Sequence, residues 1–290
     1  MLAKPGRTGF LCIIYASESR TELVAQLLAV ARSVSGVRQA HHFVDVPYNR
    51  TSFYLVSRNA SLLCSTALCV CQEAFKLIDY SAHVGSHPTL GSVDHVCFSA
   101  LGAGSSVQDE ARMLGREFGA ALNQHEQVDV YLYGAASPSG ARLQNIRRAL
   151  DYFSPRDRDS RSEHVVSDVL LPSLEGDANL RQQKGVSCVG VVPLVVNYNI
   201  RLTTETSSSK AVASRMTSQL RVEDAVEALT LKWGNQLEVA CNLRSSLPEH
   251  GPQAVFAKAS TIAQQLGLEI EHAYTTGPSE KDLLDMLEDE

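Results

Sequence analysis

Between Phe10 and Gly134 the hydrophobic pattern changes period several times, and the order of those changes restricts the fold more than any other feature. Phe10–Tyr15 reads as a strand. Ser17-Glu-Ser-Arg-Thr-Glu22 supplies helix-capping residues, and Leu23, Leu27, Leu28 and Ala31 follow at helical spacing until Ser35-Gly36. Gln39–Val46 and Ser52–Ser57 are strands on either side of the Pro47-Tyr-Asn49 turn, the pattern of a hairpin. Leu62–Tyr80 predicts a long helix with Leu62, Ala67, Val70, Ala74, Leu77 and Ile78 inward. Val93–Phe98 is a strand, Val107–Leu122 a helix, and Val128–Tyr133 a strand ending at Gly134.

The succession β-α-β-β-α-β, then α-β, is close to a ferredoxin-like split βαβ unit, a mainly antiparallel sheet with helices on one face. The other face needs a cover, from a second domain or a partner subunit. Further on, Gln144–Phe153 predicts a helix and Ser154–Arg161 a polar, charged loop. Val165–Leu171 reads as a strand and Pro172–Gln183 as a linker. Gly185–Tyr198 is apolar but broken by Pro193, so it is one bulged strand or two short ones. Ser207–Met216, Pro252–Leu266 and Glu280–Leu287 predict helices, and Leu237–Asn242 and Ile270–Tyr274 strands. This second round of strand and helix sets an expected boundary near Asp177, with domains 1–177 and 178–290. The fold class is α+β.

The net charge of −6 speaks against nucleic acid as a partner. No apolar run in the sequence approaches the roughly 18 residues of a membrane span. The short basic N-terminus leads straight into Phe10–Tyr15, which fits a first strand better than a signal sequence, so the cytosol is expected. The seven cysteines, an odd number set mostly in apolar runs, read as free thiols. Cys69-Val-Cys71 has the wrong spacing for a redox or zinc motif.

The chemistry concentrates in Leu77–Val96, which joins a helix to a strand. Gly85 and Gly91 permit backbone angles closed to other residues and let a ligand approach the main chain. Pro88 pushes His87 into an extended conformation, so His87 sits on a stiff loop. Its imidazole suits proton transfer near neutral pH. Asp94, at the start of the next strand, is placed to orient an imidazole or a substrate amine, or to cap a turn. Asn49 and Arg50 are candidates to bind a carboxylate or phosphate. His83 reads as a helix-terminal group and His95 as structural. A zinc site using His83 and His87, with Asp94 and His95, is the rival enzyme reading. Gly85 and Pro88 oppose it, because His-x-x-x-His puts both rings on one face only in a helix.

Gly85-Ser-His-Pro-Thr-Leu-Gly-Ser-Val-Asp94 resembles the Gly-x-His-Pro-Arg-x-Gly-x-x-Asp signature of the glutamate formiminotransferases, most of all the stand-alone plant-type proteins. Asn49-Arg-Thr51, Leu77-Ile-Asp79, Tyr131-Leu-Tyr-Gly134, Asn197-Tyr-Asn-Ile200 and Glu238-Val-Ala-Cys-Asn242 resemble further short motifs of the family, in the same order. The resemblance implies two ferredoxin-like α/β sandwich subdomains whose sheets face a shared ligand cleft. It implies a folate-dependent transfer of a formimino group from N-formimino-L-glutamate to tetrahydrofolate, a step of histidine degradation, by a homodimer. On this likeness His87 is the catalytic base. Asp45, Asn49, Arg50, Gly85, Gly91, Asp94 and Tyr133 would hold the substrate, and Asp168, Pro172, Lys184 and Asn199 the folate.

The chain departs from the family at three places. Thr89 stands where the family has an arginine, and a threonine cannot clamp a carboxylate bidentately. Ile14-Tyr-Ala-Ser-Glu18 replaces Pro-Asn-Phe-Ser-Glu, and Ser167-Asp-Val-Leu-Leu-Pro172 is the nearest match to the folate-contacting Asp-Phe-Gly-Pro. A folate-binding or regulatory paralogue without turnover is therefore the alternative function.

Overall fold

The computed structural model describes residues 7–102, 104–152, 168–170, 182–203, 209–244 and 247–288. The chain forms two compact units, residues 1–192 together with 280–290, and residues 193–279.

The first unit holds a seven-stranded sheet. Its strands are β1 (Gly9–Ala16), β2 (Arg38–Asp45), β3 (Arg50–Ser57), β4 (Val93–Leu101), β5 (Val130–Gly134), β6 (Val169–Leu170) and β7 (Ser187–Val191), in the spatial order β2-β3-β1-β4-β7-β5-β6. β1 runs antiparallel to β3 and β4, while β7 is parallel to both β4 and β5. The expected hairpin is present, with Asp45 opposite Arg50 across the turn.

Strand alternation sorts the side chains. Phe10, Cys12 and Ile14 of β1, Phe53 and Leu55 of β3, and Val96 and Phe98 of β4 join one core with helices α1 (Thr21–Ala31), α2 (Ala60–Leu77) and α3 (Ser105–Glu126). The opposite face carries Leu11, Ile13, Tyr54, Val56, His95, Cys97, Tyr131 and Tyr133, which are also buried. Part of its cover comes from α4 (Leu143–Ala149), whose Ile146 packs with Tyr131, Tyr133 and Cys188. The C-terminal segment adds more. Leu287 lies so close to Gly9 that a Cβ there would meet its Cδ1 at 2.4 Å. Arg38 and Arg58 donate to the carbonyls of Met286 and Leu287.

α2 is 18 residues long, and its length and apolar composition alone would suffice to cross a membrane. This corrects the sequence reading, which Ser61, Ser65 and Thr66 misled by interrupting the run. In the fold Leu63, Ala67, Val70, Cys71, Ala74 and Phe75 of α2 are buried in the core. The helix also stops earlier than expected, at Leu77. Ile78 is extended, and the Asp79 side chain accepts from Ser81 N to start a separate turn at Tyr80–Ala82.

The second unit contains β8 (Val196–Leu202), α5 (Ser209–Leu220), β9 (Val226–Trp233), β10 (Gln236–Leu243), α6 (Pro252–Leu266) and β11 (Ile270–Thr275), and α7 (Glu280–Met286) then returns to the first. Its sheet order is β11-β8-β10-β9, antiparallel throughout. Tyr198, Ile200, Leu202, Val239 and Cys241 pack against Met216 of α5 and Ile262 of α6. β9 went unread in the sequence because Glu227 and Lys232 interrupt its apolar residues.

The apolar stretch broken by Pro193 resolves into two short strands, and they belong to different sheets. Because β7 is hydrogen-bonded between β4 and β5, the first unit runs on to Val192; Asp177, near which the sequence sets its boundary, lies outside the described residues. All seven cysteines are free thiols, and burial raises those of Cys12 and Cys71 well above the usual range.

Candidate active site

The His87 loop is held from three sides. Ser86 donates from its backbone N and its Oγ to the Pro47 carbonyl, at 3.2 and 3.0 Å. A Cβ on Gly85 would stand 2.3 Å from the Tyr48 carbonyl oxygen, so the loop can lie against the β2–β3 turn only with glycine there. At the far end Gly91 bridges Gly185, and a Cβ would meet the carbonyls of Val186 and Lys184 at 2.4 and 2.7 Å. Ser17 Oγ donates to Gly91 O at 2.7 Å, and Ser92 N to Lys184 O at 2.8 Å.

Within this frame His87 is partly buried, its ring edge-on to Tyr48 at 5.1 Å and to Tyr152 at 6.3 Å between centroids. Its Nδ1 lies 2.6 Å from the Pro88 carbonyl. A carbonyl only accepts, so Nδ1 carries the proton and Nε2 offers the lone pair. Burial, reinforced by the charge of Arg50, takes the imidazole down to about 3; the Pro88 carbonyl and Asp94 oppose the drop and Arg147 adds to it.

Asp94 is the electrostatic centre. Its Oδ2 accepts from Arg50 Nη1 at 2.7 Å and lies 3.6 Å from Arg147 Nη2, while Oδ1 accepts from Leu90 N at 2.7 Å. Burial would raise its carboxyl, but the charges of Arg50 and Arg147 prevail and hold it at about 2. Arg50 lies over the Tyr15 ring at 4.8 Å, and Tyr15 stacks on His95 at 5.1 Å. His95 Nε2 meets Tyr133 OH at 2.5 Å. Burial, then Arg147, takes the His95 imidazole well below its usual value.

Arg147 and Tyr152 had no signal in the sequence. Arg147 sits on α4 beside an exposed Arg148, and nothing in that pair tells which one turns inward. Asp151 takes a positive φ of 54°, and Tyr152 N donates back to Arg147 O at 2.9 Å. The turn folds the Tyr152 ring under the Arg147 guanidinium, 4.4 Å from its centroid.

The other expected site residues have local partners. Asp45 accepts from Tyr48 N and closes the hairpin turn. Asn49, at φ 48°, donates to Val84 O and accepts from Ser19 Oγ. His83 lies 3.1 Å from the Ser17 carbonyl through Nδ1 and stacks on Tyr80. Among the described residues no group of three histidines, cysteines or carboxylates is placed to hold a metal ion. Lys184 reaches the Glu126 carbonyl and carboxylate at the end of α3. Asp168, at φ 61°, accepts from Ser137 Oγ and from Ser139 N and Oγ, and the Ser137 bond leads in lowering its carboxyl. Pro172 lies outside the described residues. Asn199 belongs to the second unit, where it donates to Glu238 Oε1; Glu238 also takes Arg201 and Tyr274 OH.

The family model described as the formiminotransferase domain, N-terminal subdomain, matches residues 9–192. The chain belongs to the formiminotransferase family. The match ends where the first unit gives way to the second, so the unit that holds His87 is the one the family model describes. A formiminotransferase cyclodeaminase-like protein of Arabidopsis thaliana is 29% identical over 279 residues, 91% of each chain. A glutamate formimidoyltransferase of Streptococcus pyogenes is 25% identical across 67% of this chain and 62% of its own. A formimidoyltransferase-cyclodeaminase of Dictyostelium discoideum is 24% identical across 89% of this chain, which spans 48% of that larger protein.

Proposed function

We propose that the chain is a glutamate formimidoyltransferase that moves the formimino group of N-formimino-L-glutamate to N5 of tetrahydrofolate, with His87 as general base. The observation that carries the reading is the His87 ring. It is neutral, its Nδ1–H is fixed on Pro88, and its Nε2, with a free lone pair, stands on a loop held from three sides. In the transfer, a C–N bond to the attacking amine forms as the C–N bond to the glutamate nitrogen breaks. His87 takes the proton lost by the first nitrogen and returns it to the second, so the exchange needs no other acid or oxidant. Such proton transfer contributes about 10²–10⁴-fold, and positioning of two substrates supplies much of the rest.

Tyr48 and Tyr152 give His87 flat aromatic neighbours suited to a reduced pterin. Asp168, Pro172, Lys184 and Asn199 are the residues assigned to folate by resemblance. Two ferredoxin-like units, homodimer formation and action in the cytosol belong to the same proposal.

The test is direct: purified chain, tetrahydrofolate and N-formimino-L-glutamate, with the 5-formimino product followed by mass. Product at a rate that His87→Ala lowers by two or more orders of magnitude supports the reading. Bound folate with no product from wild type would replace it with the folate-binding paralogue, the reading that Thr89 favours.

A further inference from the structure

Around Asp94 the charges do not balance among the described residues. One carboxylate faces two guanidiniums, Arg50 from β3 and Arg147 from α4, while His87 and His95 are neutral. Both arginine side chains are largely buried, at 9% and 15% exposure. Asp94 gives its shorter bond to Arg50 and its other oxygen to Leu90 N. Arg147 is left with a long contact, and its buried Nε has no acceptor among the described residues. A buried guanidinium with an unmet N–H and surplus positive charge is costly until an anion completes it. The fork of an arginine matches a planar carboxylate.

We propose that Arg147 binds a carboxylate of an amino-dicarboxylate donor next to His87. The position follows from Tyr152, whose ring has the Arg147 guanidinium 4.4 Å away and the His87 ring 6.3 Å away. Thr89 takes no part, since its carbonyl and hydroxyl are tied to Tyr80 OH. Binding has a second effect. The groups facing His87 are Arg50 and Asp94 from the sheet, Arg147 and Tyr152 from the α4 segment, and Tyr48 from the hairpin turn. An anion on Arg147 cancels one of the two charges that hold the imidazole down, so the donor itself makes His87 a stronger base. Only the identity of the donor rests on the proposed function; the anion site rests on the geometry.

The experiment is calorimetric titration of the full chain with L-glutamate, with N-formimino-L-glutamate and with the uncharged diamide of glutamate, alongside an NMR titration of the His87 ring with and without L-glutamate. Wild type should bind both acids, bind the diamide at least about tenfold more weakly, and show His87 protonating at higher pH when glutamate is present. Arg147→Met should weaken both acids by about ten- to a hundredfold, Arg147→Lys by less, and Thr89→Arg should change neither by more than about twofold. Equal binding of diamide and acid by wild type overturns the proposal, as does undiminished binding by a folded Arg147→Met protein or no binding of either acid. If Arg147→Met does not fold, the diamide comparison and Arg147→Lys decide. Carboxylate binding at Arg147 without transfer to tetrahydrofolate would leave this inference standing and remove the transferase reading. Transfer with unchanged donor binding in Arg147→Met would do the reverse.

Discussion

Replacing Asp94 with asparagine removes the one negative charge that, among the described residues, offsets Arg50 and Arg147. The side chain keeps its size, but two buried guanidiniums lose the carboxylate they share. Breaking a buried ion pair by deleting one partner costs about 3–5 kcal/mol. The titration behaviour gives a compatible figure: a carboxyl held at about 2 instead of 3.8 corresponds to about 2.5 kcal/mol of stability. At about 2–4 °C per kcal/mol for a unit of this size, Asp94→Asn should melt roughly 5–20 °C below wild type at pH 7. The sign of the pH dependence follows from the depressed value. The contribution is fully present above the unfolded carboxyl's range, about pH 4, and is lost as pH falls through about 2. Melting curves of both proteins from pH 7 down to pH 3 check it, and the gap should begin to narrow below about pH 4. A variant that melts within about 1 °C of wild type at pH 7 would refute the charge triad as described.

In a working transferase, His87→Ala should lower kcat by about 10²–10⁴-fold and leave tetrahydrofolate affinity nearly unchanged, read by steady-state kinetics and a binding titration. Gly91→Ala drives a methyl group into the backbone at Val186 and Lys184, so it should destabilise by about 1–3 kcal/mol or more, measured by urea unfolding. Glu238→Gln leaves the buried Arg201 without its counter-charge, and should lower stability by about 3–5 kcal/mol, with the loss read from the fluorescence of Trp233. Thiol titration of the denatured protein without reductant should find all seven cysteines.

The order of elements in the first unit was legible because its strands and helices are long enough to show their periods. Phe10, Cys12 and Ile14 alternate, and Leu27, Leu28 and Ala31 recur at helical spacing. The His87 loop was legible through glycine and proline, whose backbone limits are local. The place of Ser187–Val191 was not. An apolar run states that a strand is buried, not which sheet will take it, and that choice depends on pairing with β4 and β5 far away in sequence. Arg147 was hidden for a similar reason: its role comes from Asp94, fifty-three residues earlier, and from a left-handed turn at Asp151 that no motif announces. Asn49 and Lys184 carried the right chemistry for ligands, but each has hydrogen bonds to its own framework.

The return of α7 to the first unit has a consequence for synthesis. When a nascent chain has emerged as far as Val192, every strand the first sheet displays is already made, but Leu283 and Leu287, each almost wholly buried in the finished fold, are not. The sheet face around Gly9 must wait, uncovered, while the ribosome adds the whole of 193–279. At about 5–20 residues per second that interval lasts several seconds, long enough for a chaperone to take hold of the exposed strands.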